Sequence, residues 1–160
     1  MRNIIALLLI SSFVSCGVFQ PKQFSQEALE EELLTVDRKE TSLKEILAKN
    51  QEQKKFIQIY ASYCPISQDS FDDVVKFQNK NTDAEYIFLS VDHSYHDWKR
   101  GLESLKVKGS HYYIQKKGKG VLGEFLKLKT IPRFLIIDKE GNILVYKTSK
   151  LSETLQQKIK

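Results

Sequence analysis

Residues 56–67 read Phe-Ile-Gln-Ile-Tyr-Ala-Ser-Tyr-Cys-Pro-Ile-Ser, an apolar run that gives way, after a short turn, to a cysteine followed at once by proline. Phe56, Ile57, Ile59 and Tyr60 suit a short internal strand. Pro65 has its φ already fixed and no N–H to leave unpaired, which suits it to the first position of a helix. The stretch therefore predicts strand, turn and helix, with Cys64 at the helix start. There a thiol faces the positive end of the helix dipole and unpaired backbone N–H groups, and both favour the thiolate. A lone cysteine is commonly just a small core hydrophobe. Cys-Pro-x-Ser at a strand-to-helix junction is a poor place to bury one, so Cys64 is read as a nucleophile.

The segments that follow fix the fold class as α/β. A helix continues from Pro65 to about Phe77, with Phe71, Val74 and Val75 as its apolar stripe. Residues 86–91 form an almost continuous apolar strand, the mark of a parallel sheet covered on both faces. Strand, helix and strand at this spacing imply a right-handed crossover and parallel pairing. Residues 92–95 then form a loop at the carboxyl end of the sheet, the edge where open α/β sheets hold their chemistry. A helix over about 96–105 carries Trp98, Leu102 and Leu105. Residues 111–114 read as a small extended segment, 116–120 as a basic loop and 121–126 as a short helical face. Pro132 cannot donate to a sheet ladder and belongs at the start of the strand over 133–137, where a cis bond is permissible. Residues 138–142 form a hairpin turn with Gly141 able to take positive φ, and 143–146 return antiparallel. The last helix, 151–159, buries Leu151, Leu155 and Ile159. Earlier in the chain, Ser42 and Glu45 form a capping-box pattern that opens a helix to about Lys49 with Leu43, Ile46 and Leu47 on one face. Residues 27–33 read equally as a short helix or an extended lead-in.

The first residues look like an export signal. Arg2 precedes an apolar run over 4–10, and small residues surround Ser15-Cys16-Gly17. The run is too short to span a bilayer. Phe13-Val14-Ser15-Cys16 resembles a bacterial lipobox, with Phe13 where leucine usually stands, and that resemblance makes Cys16 the lipidated first residue of the mature protein, anchored without crossing the membrane. The predicted organisation is a lipoprotein-type signal peptide over 1–15, a tether over 16–32 and one domain over 33–160. The chain has two cysteines, so the mature domain keeps only Cys64 as a free thiol and can form no internal disulfide. Losing 1–15 leaves 145 residues, enough for one domain that buries roughly two-thirds of its unfolded surface. It also lowers the net charge from +5 to +4, because Arg2 is the only charge removed. The lysines are scattered rather than interleaved with aromatics, which argues against nucleic acid as a partner.

Three blocks together resemble the TlpA-like thioredoxin-fold disulfide oxidoreductases: residues 56–67 as strand and Cys-x-x-Ser, residues 86–98 as the next strand, Asp92 and helix, and residues 131–143 as Ile-Pro, strand and Asp-x-x-Gly hairpin. The resemblance implies a three-layer α/β/α sandwich with a mixed central sheet. It implies that Cys64 attacks a disulfide, that Ile131 and Pro132 border Cys64 and hold a substrate backbone extended, and that Tyr63 and Pro65 help bind it. Tyr63 stands where the family usually has tryptophan, and Ser70 and Asp72 stand where Glu and Pro are frequent. Ser67 replaces the resolving cysteine. Its hydroxyl could hydrogen-bond the thiolate but cannot close an internal disulfide. The expected activity is therefore monothiol exchange or isomerisation without a cofactor. Its partners would be exported proteins or peptides bearing thiols or disulfides, with an external thiol as reductant, at a bacterial cell envelope on a periplasm-facing lipid anchor.

The alternative is a non-catalytic protein- or peptide-binding module on the same scaffold. A peroxiredoxin is disfavoured, because Ile57 and Ala61 stand where its motif needs proline and threonine. His93, His96 and His111 with Cys64 could suggest copper or zinc, but the second metal-binding cysteine of thioredoxin-fold metallochaperones is missing, and no metal is expected.

Overall fold

A computed structural model describes residues 20–160. Its elements run α1 (Gln26–Leu29), β1 (Glu32–Thr35), β2 (Glu40–Ser42), α2 (Leu43–Leu47), β3 (Lys55–Tyr60), α3 (Pro65–Lys80), β4 (Glu85–Ser90), α4 (Tyr95–Leu102), β5 (Ser110–Ile114), a 3-10 turn (Lys117–Lys119), α5 (Val121–Phe125), β6 (Arg133–Ile137), β7 (Ile143–Thr148) and α6 (Glu153–Ile159). The strands form one mixed sheet in the order β2-β1-β5-β4-β3-β6-β7. β3 pairs parallel with β4, and β4 with β5, while β6 runs antiparallel to β3.

Alternation along each strand divides the core in two. Ile57, Ile59, Ile87, Leu89, Leu135 and Ile137 face Ala28, Leu43, Ile46 and Leu122 of α1, α2 and α5. Phe56, Tyr60, Phe88, Phe134 and Ile136 face Phe71, Val74, Trp98 and Leu155 of α3, α4 and α6. This is the expected three-layer α/β/α sandwich. Trp98 is fully buried and donates its indole N–H to Tyr60 Oη at 2.9 Å. Burial pushes the Tyr60 hydroxyl's pKa up, so it stays neutral and available as that acceptor.

The central β3-α3-β4 unit forms as the sequence predicts, and the Ser42–Glu45 capping box is present in both directions. Three differences stand out. α3 runs past Phe77 to Lys80 because Phe77 and Gln78 are both buried, adding an amide to the expected apolar stripe. β5 is the third parallel strand of the sheet, not a minor extended segment. The open choice over 27–33 resolves into both forms, a helix that ends at Leu29 and a strand that starts at Glu32.

Residues 22–32, read from sequence as tether, also take part in the folded body. Ile143 N–H donates to the Lys22 carbonyl at 2.7 Å, Phe24 packs on Phe125 at 5.1 Å between ring centres, and Ala28 is fully buried. The expected signal peptide over 1–15 and the expected lipidation site Cys16 lie outside the described residues. Among the described residues no helix is long and apolar enough to cross a membrane.

Candidate active site

β3 ends at the carboxyl edge of the sheet, and the chain turns there in four residues, with Cys64 N–H donating to the Ala61 carbonyl at 3.1 Å. Cys64 is the N-cap of α3, with extended φ −89° and ψ 114°, Pro65 follows it as the first helical residue, and its carbonyl accepts from Gln68 N–H at 3.0 Å. The Cys64 thiol is free, partly exposed and takes no part in capping the helix. Pro65 is exposed beside it. Two large apolar side chains flank the thiol in the open: Tyr63 at 53% and Ile66 at 67% exposure.

The loop carrying Cys64 is held from behind by a buried carboxylate. Asp92, two residues past the end of β4, is fully buried. Its two oxygens accept from Ser62 N–H at 2.9 and 3.1 Å, from Ser62 Oγ at 2.7 Å and from Ser90 Oγ at 2.6 Å. Gln68 Nε2 adds a bond to the Ser62 carbonyl at 2.6 Å. Gly101 of α4 leaves room for the loop, since a Cβ there would lie 2.6 Å from Ser62 Cβ. Tyr63 stacks flat on His93, 4.1 Å between ring centres and 7° between planes, and Lys117 Nζ fixes the His93 carbonyl at 2.8 Å. Three loops therefore converge on the residues just before Cys64.

Pro132 reaches the same edge. β6 pairs with β3 so that Arg133 lies opposite Ile59, and the Ile131–Pro132 bond is cis. Pro132 itself is buried, with Ile131 half-buried before it. Pro132, Phe134, Ile66, Ser70 and Leu151 line a cavity of about 360 Å³ between α3 and the β7–α6 loop. The chain thus brings Cys64, Tyr63, Pro65, Ile131 and Pro132 to one edge.

Ser67 departs from the role expected of it. It is fully buried on the inner side of α3, and its hydroxyl has no hydrogen-bond partner, so it does not donate to Cys64. Its place in the third residue of the helix turns it toward β3, where Gln58 Nε2 donates to Ser70 Oγ at 3.0 Å and Ser70 Oγ donates to the Ser67 carbonyl at 2.6 Å. Gln58 Oε1 is buried and unpartnered as well. The histidines do not converge with Cys64 into a ligand set, and no cluster of three or more metal-ligating side chains occurs among the described residues. His111 lies on β5 against Phe88, 4.7 Å between ring centres, and burial lowers its pKa to about 4. His93 is engaged with Tyr63.

Sequence reading named Asp92 as the start of a loop and as part of the resemblance without a role, weighed His93 only as a metal ligand, and did not single out Ile66. A charged residue directly after a strand buried on both faces is the signal for Asp92. Nothing in the chain marks His93 as the partner of Tyr63.

A family model described as thioredoxin-like matches residues 54–143, more than half of the chain. The chain belongs to the thioredoxin-like family. Its structure is similar to a thiol:disulfide interchange protein DsbE from Chlorobium tepidum, with TM-score 0.68, 18% identity, and coverage of 88% of this chain and 96% of that one. It is similar to the exposed lipoprotein thioredoxin of Streptococcus pneumoniae at TM-score 0.57 and 23% identity, covering 79% and 93%. The thioredoxin domain of a Bacteroides vulgatus thiol-disulfide oxidoreductase gives TM-score 0.63 at 17% identity, covering 84% and 94%. Among curated proteins, none is close enough in sequence to match. At these identities the structures share a thioredoxin-like fold with this chain, a fold used by thiol-disulfide oxidoreductases.

Proposed function

We propose that this thioredoxin-like protein carries out thiol–disulfide exchange through Cys64 alone, on exported proteins or peptides, while tethered to a bacterial envelope membrane by lipid on Cys16. The observation that carries the reading is the free, partly exposed Cys64 thiol at the start of α3, next in the chain to the exposed Tyr63 and Pro65 and at the sheet edge that Pro132 also reaches. The exported, anchored setting rests on the lipobox-like Phe13-Val14-Ser15-Cys16, and the exposed lipoprotein thioredoxin among the structural relatives is consistent with it.

The deprotonated Cys64 sulfur attacks one sulfur of a partner's disulfide. The old S–S bond breaks, a new one forms to Cys64, and the partner's other sulfur leaves as thiolate. No net oxidation occurs in this step. Position 67 holds a hydroxyl, so the mixed disulfide is resolved by a second thiol. Either the partner's own thiol attacks the partner's sulfur, rearranges its pairing and frees the Cys64 thiolate, or an external thiol attacks the Cys64 sulfur, releases the partner's thiol and stays bonded to Cys64 until a second external thiol frees Cys64 and leaves as the external disulfide. Pro132 and Ile131 would hold the partner's backbone extended beside the reacting sulfur, with Tyr63 from the preceding turn and Pro65 and Ile66 from the start of α3 covering it.

Non-reducing gels of cell envelopes test this. Adducts that disappear in Cys64→Ala and persist in Ser67→Ala are expected. Absence of any adduct while the Cys64 thiol remains free and alkylatable would rule it out. Partners that co-purify equally with wild type and Cys64→Ala would favour the binding-module reading, for which the Pro132 cavity is the supporting feature.

A further inference from the structure

The two ends of the sheet have different neighbours. β3 leads from Lys55 toward Cys64, and β6 runs back, placing Ile137 opposite Lys55 at the far end. β7 begins at that far end, with Ile143 opposite Ile137. The Lys22 carbonyl accepts from Ile143 N–H, and Gln23 Nε2 donates to Asn142 Oδ1 at 3.2 Å, so the chain joins the folded body at the pole opposite Cys64. The six residues of β3 alone separate the two levels by about 17 Å.

We infer that the anchored protein stands on the bilayer on this pole, around the Asp138–Asn142 turn, and holds Cys64 outward for disulfides of proteins in the aqueous space. The inference rests on the proposed lipidation of Cys16. Whatever its conformation, the chain from Cys16 to Lys22 spans at most about 20 Å. Turning Cys64 onto the membrane would lift Lys22 by more than the length of β3, stretching that segment to its limit. Standing on the far pole needs no extension. Lys54, Lys80, Lys139 and Lys160 stand around this pole with Glu52, Asp83, Asp138 and Glu140, so the side-chain charges there balance and the placement rests on the reach of the tether. The orientation excludes disulfides buried at bilayer depth as substrates.

The test uses the full-length protein processed in cells and reconstituted in vesicles that contain headgroup-nitroxide lipid. A fluorophore is placed on Cys64 or, in a Cys64→Ala background, on Lys139→Cys. Quenching several-fold stronger at position 139 than at Cys64 is expected, and a long Gly/Ser insertion between residues 19 and 20 should reduce that difference. Equal or stronger quenching at Cys64 in a protein whose N-terminal peptide carries acyl chains would overturn the orientation and leave the tether intact. An N-terminal peptide without acyl chains would overturn the tether and the orientation together.

Discussion

Asp92 shows how a fully buried residue can hold in place the loop that carries Cys64. Its carboxylate takes four donated hydrogen bonds from Ser62 and Ser90, and Ser62 lies two residues before the thiol. In Asp92→Ala the Ser62 N–H and both hydroxyls lose their acceptor inside the protein, which should cost about 2–4 kcal/mol. Urea unfolding would read that loss, and a changed alkylation rate of Cys64 in the still-folded variant would show that the loop has loosened. His111 gives a pH dependence. Burial lowers its pKa to about 4, below the usual 6.5, so between those values the unfolded chain binds more protons than the folded one. Stability should rise with pH from about 4 to 6.5 and then level off as far as this residue is concerned. The contribution lost below about pH 4 is at most on the order of 3 kcal/mol. Urea midpoints at pH 7 and pH 4.5 should differ less in His111→Gln than in wild type; an unchanged difference would exonerate the imidazole.

At the scale of elements, α3 carries both the most and the least legible parts of the site. Its start could be read directly, because proline at the first helical position and an apolar strand before it leave Cys64 one place to go. The direction of Ser67 could not, since a polar residue three positions into a helix gives no sign that it will be turned inward against Gln58. That burial has a consequence for engineering. Cys64 and Ser67 sit at the N-cap and third position of one helical turn, so Ser67→Cys should close a disulfide with Cys64 under mild oxidant, read by mass as the loss of two hydrogens. A variant that keeps two alkylatable thiols would show that the turn holds the side chains too far apart. The far end of β3 carries another device that no apolar pattern reveals, the Lys55–Glu85 ion pair at 3.3 Å with both side chains buried, where Lys55 Nζ also donates to the Asn50 carbonyl at 3.1 Å. Glu85→Ala strands a buried ammonium and should lower stability by about 3–5 kcal/mol in urea unfolding, whereas Lys55→Met with Glu85→Leu should recover most of it.

Across the whole molecule, the central layer was readable because β3, β4 and β6 are apolar runs with turn chemistry at their ends, and the resemblance rested on the same three blocks. The sheet's other edge was not. β1 and β2 together bury only Leu33 and Leu34, and β1 is secured by pairing with β5, a contact between residues about eighty positions apart that leaves no local trace. The same reason hides the N-terminal residues' place in the body, since Lys22 and Phe24 are held by Ile143 and Phe125. Among the described residues the molecule offers one free thiol, at the carboxyl edge of the sheet, and the most direct test asks for that chemistry alone. The folded domain over residues 20–160 is mixed with a disulfide-bonded peptide and examined by intact mass under non-reducing conditions. One peptide half added per chain is expected, mapped to Cys64, released by glutathione and absent from Cys64→Ala. A chain that stays unmodified while iodoacetamide still labels Cys64 would contradict thiol–disulfide exchange as its function.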